Sequence, residues 1–392
     1  MATTLPRSAR RALTIIRHSP GITRHTLAET LHVSVTTINP VVSRLIDQKL
    51  VAEVIPTKDD RHGVGRPRAG LITPGATESV AILIWGHGVL TTAIATFDDR
   101  VVWKTKTRVE DILTADELVA ASRSTLTATP GLDGIRPPTL LVLGLPAPYE
   151  RGVGIGQSAA EDARDDAGFA SWFSADPQAL LSEQLGIRVI AENDANLGAL
   201  GETARGAARG ADAAIYLRLS GYGVGAGVTI RGQLFSGSHG YAGEIAHVRV
   251  DDTSGIICSC GSRGCLEEKI GPTMLHQLHA NYGTEITYDD LLEMVERQLP
   301  GPTRLLQDAG RVAGRSLADI CTFFNPGVLA IDAGSATASH VLIDGVREQI
   351  DQSTPPFVRR GLAIVPSELG EDAPLIGAVA AARVELLTTR TR

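Results

Sequence analysis

Cysteine is scarce in this chain of 392 residues, yet three of its four cysteines lie in one short stretch, ICSCGSRGCLEE, which runs from Ile257 to Glu268. Cys258, Cys260 and Cys265 offer three soft ligands, and His247 upstream adds an imidazole. Three thiolates and one imidazole fill a tetrahedral Zn²⁺ shell and leave no open position for a hydrolytic water, so the zinc expected here is structural, one per chain. Gly255, Gly261 and Gly264 permit the tight turns that aim three side chains at one point. The alternatives are a redox pair or three unrelated thiols. Redox chemistry favours Cys-x-x-Cys near a helix start, which is absent. Cys321, between Ile320 and Thr322 in an apolar helical segment, reads as core.

Composition narrows the class. With 43% hydrophobic residues and a mean hydropathy near zero, the chain can bury sizeable cores, and its length suggests two or three domains. No apolar run approaches the roughly 20 residues that span a membrane. The first residues, MATTLPRSARRALTIIRHSP, carry charge but no apolar segment before a cleavage site, so no signal peptide and a cytoplasmic location are expected. The net charge of −7 conceals an asymmetry: Met1 to Gly70 holds 11 Lys+Arg against 5 Asp+Glu, and the remainder 26 against 39. A basic head on an acidic body is an electrostatic footprint for nucleic acid at one end.

The elements of that head follow from its periodicity. Ala12, Leu13, Ile15 and Ile16 share a helical face between Arg7 and Arg17. Thr23 can cap a short helix, RHTLAETL, and a turn at HVS leads to VTTINPVVSRLIDQKLV, with Val41, Val42, Leu45 and Ile46 at helical spacing. Helix, short turn, helix is the helix-turn-helix signature, with the third helix as groove reader. Pro40 favours a helix start at Thr37, which keeps the proline in the first turn, or else a bend. VAEVI and AGLIT, on either side of PTKDDRHGVGRPR, read as the strands of a wing, with Arg66 and Arg68 placed for the minor groove.

The body alternates strands and helices. SVAILIWG, TTAIATFD and RVVWKTKT read as three consecutive strands. Helices are expected over Asp111–Leu126 and Asp176–Leu185, followed by the strands TLLVLGLP and RVIAEND. AAIYLRLS, GAGVTIRG and AHVRVD then repeat the three-strand theme. Two copies of β-β-β-α-β-α predict two α/β lobes with a cleft between them. ARDDAGFASW reads as an irregular surface loop.

The segment GSHGYAGEIAHVRVDDTSGIICSCGSRGCLEE resembles the hallmark of the ROK family of bacterial sugar kinases and sugar-responsive repressors. The family pattern is roughly AGE-x-GH followed by C-x-CG-x-x-GC-x-E, and this chain departs from it at Ala246, where glycine is usual. The resemblance covers the whole chain. It implies a winged helix-turn-helix over residues 1–73, followed by a two-lobed actin/hexokinase-like, ribonuclease H-like body. The first lobe spans 78–194, with a C-terminal helix over 376–392 packing back on it; the second spans 195–375 and carries the zinc site. It further implies a hexose held by Asn193, Asp194, Glu244, His247 and Glu267. His247 would give one ring nitrogen to zinc, which fixes its orientation. In the family's kinases the carboxylate matching Asp194 is the general base.

Other segments depart from the kinase pattern. There is no GxxxxGK[ST] loop. Where the family's first phosphate loop reads roughly D-x-G-G-T-[KN], this chain has Leu83-Ile84-Trp85-Gly86-His87-Gly88, so the acidic residue is Leu83 and the indole of Trp85 is expected to crowd a phosphate. Tyr222 stands where a small hydroxyl residue is usual, and Asp332 and Ala333 where the adenosine-side turn has glycines. These departures, with the sugar set kept, point to a receptor and not a catalyst. The reading is therefore a DNA-binding transcriptional regulator, a repressor of carbohydrate metabolism. Its partners are operator DNA and a sugar or sugar-phosphate effector, and the family's habit implies a homodimer or homotetramer. Thr36, Thr37, Asn39, Ser43 and Arg44, with Arg66 and Arg68, are the candidate DNA contacts. The competing readings are a sugar kinase with an appended DNA-binding head, and a regulator controlled by a protein at its zinc lobe.

Overall fold

The structure is a computed structural model that describes residues 6–18, 22–48, 50–54, 69–73, 77–86, 88–109, 113–128, 135–156, 176–220, 223–251, 257–258, 260–283 and 285–390. The chain forms two compact units: Met1–Val80 with Ile94–Trp103 and Leu126–Thr139, and Ala81–Ala93 with Lys104–Thr125 and Leu140–Arg392.

In the first unit, α1 (Arg7–His18) buries Ala9, Ala12, Leu13 and Ile16 on one stripe. A two-residue strand β1 (Ile22–Thr23) leads into α2 (Arg24–Thr30), whose N-cap is Thr23; its hydroxyl accepts from Thr26 N at 3.2 Å. The third helix, α3 (Val35–Asp47), starts earlier than Pro40 suggests. Ser34 is its N-cap and accepts from Thr37 N at 3.1 Å, so the cap sets the start and Pro40 lies inside the helix. Pro40 is exposed, so water can take the carbonyl that its missing N–H leaves. Leu27, Ile38, Val42, Leu45 and Leu71 complete the core. The strands β2 (Ala52–Val54) and β3 (Gly70–Ile72) pair antiparallel, Ala52 opposite Ile72, and β1 pairs with β3 on its other side, a third strand that the sequence pattern does not announce. Three helices on such a small sheet are the winged helix-turn-helix arrangement. The wing loop with Arg66 and Arg68, and the segment ARDDAGFASW, lie outside the described residues.

The body holds two five-stranded sheets with the same internal order. The first takes β4 (Ser79–Gly86), β5 (Val89–Thr96) and β6 (Val101–Arg108), then, after α4 (Ala115–Thr127), β7 (Leu140–Leu145). A small hairpin of β8 (Tyr149–Glu150) and β9 (Gly154–Ile155) and the helix α5 (Pro177–Leu185) precede β10 (Arg188–Asn193) and α6 (Asp194–Arg205). The order is β10-β7-β4-β5-β6, with β4, β7 and β10 parallel. The second sheet takes β11 (Ala213–Ser220), β12 (Gly223–Ile230) and β13 (Gln233–Leu234). The helices α7 (Leu266–Ile270), α8 (Pro272–Tyr282), α9 (Tyr288–Glu296) and α10 (Pro300–Phe324) come next, then β14 (Val328–Asp332), α11 (Ala336–Ser353), α12 (Pro356–Arg359), β15 (Ala363–Pro366) and α13 (Ala373–Arg390). Its order, β13-β12-β11-β14-β15, repeats the first. In both, a meander of three strands is extended by two parallel strands beside its first member, the duplicated actin-like plan.

The third strand of the second meander is not AHVRVD. Only Gln233–Leu234 fills that place, because Ile245–His247 forms a 3₁₀ turn and the residues after it fold onto the cysteine loop: Leu266 N donates to Val248 O at 2.9 Å and Val250 N to Gly264 O at 2.8 Å. The hydrophobic pattern there serves a clamp instead of a sheet. Helix α13 packs on α6 at close range, since a Cβ on Gly201 would collide with Ala373 O and one on Gly377 with Leu197 O. Among the described residues no helix is long and apolar enough to cross a membrane.

Candidate functional site

His247 ends its 3₁₀ turn, and Cys265 caps the N-terminus of α7. Two antiparallel bridges tie this segment together, Arg249 to Cys265 and Ile257 to Arg263. Gly261 (φ 81) and Gly264 (φ 71) take left-handed conformations that the turns require, and at Gly264 a side chain would also strike Asp251 O. The result brings one ligand atom each from His247, Cys258, Cys260 and Cys265 within 4.8 Å of one another. Cys258 Sγ lies 3.6 Å from His247 Nδ1 and Cys260 Sγ 3.7 Å from Cys265 Sγ. A tetrahedral centre with metal–sulfur bonds of about 2.3 Å and metal–nitrogen bonds of about 2.0 Å needs separations of roughly 3.5 and 3.8 Å, so the group fits a metal ion. Burial holds His247 below its ordinary value, favouring the neutral imidazole that ligation uses. Burial and then the neighbouring thiols push Cys265 up to about 12. A bound cation reverses that, since a coordinating thiol is deprotonated outright.

The clamp abuts a cavity of about 460 Å³. All five residues expected at a sugar line it: Asn193, Asp194, Glu244, His247 and Glu267. Asn193 ends β10 as the N-cap of α6, its Oδ1 accepting from Ala195 N at 2.9 Å and Asn196 N at 3.1 Å, and its Nδ2 donating to Ala147 O at 3.1 Å. Most of its hydrogen-bonding capacity thus serves the turn. Glu267 reaches the cavity from the first turn of α7 and lies against Gly223, where a Cβ would stand 2.5 Å from its Oε1. Burial, and after it the carboxylates of Glu267 and Asp194, push Glu244 up to about 7. Burial, then Glu268, pushes Glu267 up to about 7. Two half-buried carboxyl groups beside the imidazole of His247 suit hydroxyl recognition.

The sequence pattern of the ROK family matches residues 170–385, more than half of the chain. The chain belongs to the ROK family. The xylose repressor of Bacillus spizizenii is 29% identical to it over 208 residues, 53% of this chain and 54% of that protein, so the chain spans about half the length of that relative. The glucokinase of Thermotoga maritima is 32% identical over 256 residues, 60% of this chain and 79% of that enzyme. In fold, the ROK protein is similar to a solved ROK family transcriptional regulator, a homolog of the E. coli MLC protein, with a TM-score of 0.66 over 95% of this chain and 94% of that one at 22% identity.

The other end of the cleft in this ROK protein departs from the expectation in one respect. Trp85 does not crowd the cavity. It is fully buried, like Leu83, while Ile84 and Gly86 line the wall. Strand alternation sends 83 and 85 into the core and their neighbours to the cleft. Asp332 does line the cleft, accepting from Tyr216 OH at 3.1 Å and from Gly334 N at 2.9 Å. Tyr222 and His87 lie outside the described residues.

Sequence reasoning missed Arg218. It lines the cleft from β11 and donates to Asp194 Oδ2 at 3.2 Å. A lone cation in the apolar strand AAIYLRLS was the available signal. Lys104 and Lys106 of β6 also line the cavity, Lys104 donating to Asp372 at 2.6 Å and Lys106 to Glu371 at 2.5 Å. Among the described residues, every lysine and arginine that lines the cleft therefore already faces a carboxylate.

In the head, Thr36, Thr37, Asn39, Ser43 and Arg44 are all exposed on α3. The hydroxyls of Thr36 and Thr37 each sit 2.7 Å from Ser34 Oγ, and Asn39 meets Arg24.

Proposed function

We propose that this ROK protein is a sugar-responsive DNA-binding regulator of carbohydrate metabolism, a cytoplasmic homo-oligomeric repressor. Its α3 would lie in the major groove of an operator, and its cleft would bind a carbohydrate. Domain limits at 1–73, 78–194 and 195–375 go with this reading, α13 serving the first lobe. The observation that carries it is the pairing, in one chain, of an exposed α3 on a winged head with a cleft that gathers Asn193, Asp194, Glu244, His247 and Glu267. The names of the xylose repressor and of the solved transcriptional regulator support the same assignment.

Zn²⁺ would be held by His247, Cys258, Cys260 and Cys265, where it supplies cross-linking and charge and no open coordination position. The clamp then holds His247 and Glu267 in register with Glu244, with His247 Nδ1 on the metal side and Nε2 left for the ligand. A sugar hydroxyl would donate to Glu244 or Glu267 and accept from Asn193. Closure of the lobes on the sugar would respace two heads on DNA; a coupling of about 1–3 kcal/mol is enough to switch occupancy.

The second reading is a sugar kinase, which the 32% identity to a glucokinase and the presence of Asp194 favour. Against it, Arg218 already donates to one oxygen of Asp194, the carboxylate that would have to take a substrate proton. Among the described residues, the cleft wall also carries six carboxyl groups, on Asp194, Glu244, Glu267, Asp289, Asp332 and Glu371, against the three cations of Lys104, Lys106 and Arg218. That balance opposes a triphosphate. The deciding experiment is release of specific DNA from the intact protein on adding sugars, run beside an ADP-release assay with the same sugars and Mg-ATP. Sugar-dependent DNA release without ADP supports the regulator. ADP release abolished by Asp194→Asn supports the kinase.

A further inference from the structure

The head contains a chain of three polar side chains from three elements. Arg24 opens α2, Asn39 lies on α3 and Glu53 on β2. Arg24 Nε donates to Glu53 Oε1 at 2.8 Å, and Arg24 Nη1 stands 3.3 Å from Asn39 Oδ1 and 3.4 Å from Asn39 O. A guanidinium has five donors and no acceptor, so only the oxygen end of the Asn39 amide can face it. Glu53 holds the guanidinium by a second edge, which fixes its fork. The amide nitrogen of Asn39 is then turned away from Arg24, on a residue that is exposed on α3.

We propose that Arg24 sets the base that Asn39 reads: Asn39 presents its amide nitrogen, and not its oxygen, to the major groove, and the base it selects is guanine. This rests on the reading of α3 as the groove helix. An asparagine whose amide is unconstrained pairs with adenine, its oxygen accepting from N6 and its nitrogen donating to N7. With its oxygen turned onto Arg24, Asn39 presents the two hydrogens of Nδ2. In the major groove guanine alone presents two adjacent acceptors, O6 and N7. Arg24 is thus a positioning residue acting through Asn39, and Glu53 supports it from β2.

The test is selection of duplexes from a randomised DNA pool by the full-length protein, followed by sequencing. It is run for the wild type, Asn39→Asp, Arg24→Met and Arg24→Lys, each first checked for an unchanged thermal melt. The wild type should select guanine at one position of each half-site. Asn39→Asp, which has no donor, should lose that preference by about fivefold or more at that position alone. Arg24→Met frees the amide oxygen and should move the same position toward adenine, and Arg24→Lys, which keeps the charge without the fork, should weaken the guanine preference. Identical base preferences in all four proteins would overturn the proposal. So would a uniform loss across all sequences in the Arg24 variants, the mark of a phosphate contact. If the wild type selects no sequence, the DNA-binding reading itself fails, a result separable from the other two.

Discussion

Arg218 on β11 donates to Asp194 at the start of α6, Nη1 to Oδ2 at 3.2 Å, inside the cleft that holds the sugar-type residues. Both side chains are less than a third exposed. Arg218→Leu should therefore cost about 1–3 kcal/mol of stability by leaving a half-buried carboxylate without its cation, and Asp194→Asn should cost less, because the amide oxygen still accepts. Urea denaturation of the two variants checks the order.

The proposed metal clamp makes a stronger demand. Replacing Cys265 by serine removes a ligand that is fully buried at the cap of α7, and should lower stability by about 3 kcal/mol or more with loss of bound metal. Elemental analysis and thermal melts of the variant beside the wild type read both effects. Binding of sugar should fall with the metal, because Glu267 follows Cys265 on the same turn.

A pH dependence follows from Glu244. Its carboxyl is raised from about 4.5 to about 7, chiefly by burial. The folded protein thus keeps a proton that the unfolded chain gives up in that window. The stabilising contribution is full below about 4.5 and is lost as pH rises through about 7. Glu244→Gln, neutral throughout, should flatten this part of the profile and be the more stable protein above neutrality. Thermal midpoints across the window measure it; equal slopes in the two proteins would show that Glu244 does not carry the effect.

The clustering of the cysteines was legible because their spacing is a local property, written in Cys258, Cys260 and Cys265 themselves. The cap of α2 at Thr23 was equally local. What escaped the sequence depended on partners distant along the chain. AHVRVD alternates as a strand does, but its backbone pairs with the cysteine loop. Trp85 sits where it was expected and faces the other way, since the side of a strand is set by the sheet. Arg218 stood out as a cation among apolar residues, yet nothing local tied it to Asp194. Asn39 was visible as a polar residue on α3, and its link to Arg24 needed the fold.

Pro40 offers a test of the helix start in the head. Since α3 begins at Val35, Pro40→Ala should restore a main-chain hydrogen bond on an exposed face and stabilise the head by about 1–3 kcal/mol. A helix beginning at Thr37 would gain little from that change. Chemical denaturation followed by helix-sensitive circular dichroism distinguishes the two.

The most direct test of a metal-organised carbohydrate receptor is the thermal stability of the intact protein against unmodified sugars, sugar phosphates and Mg-ATP. A carbohydrate ligand at a hundredfold excess over its dissociation constant should stabilise the wild type by about 2.7 kcal/mol. That gain should vanish in Glu267→Ala, and Mg-ATP should give none. Stabilisation by Mg-ATP, with every carbohydrate silent, would contradict the account.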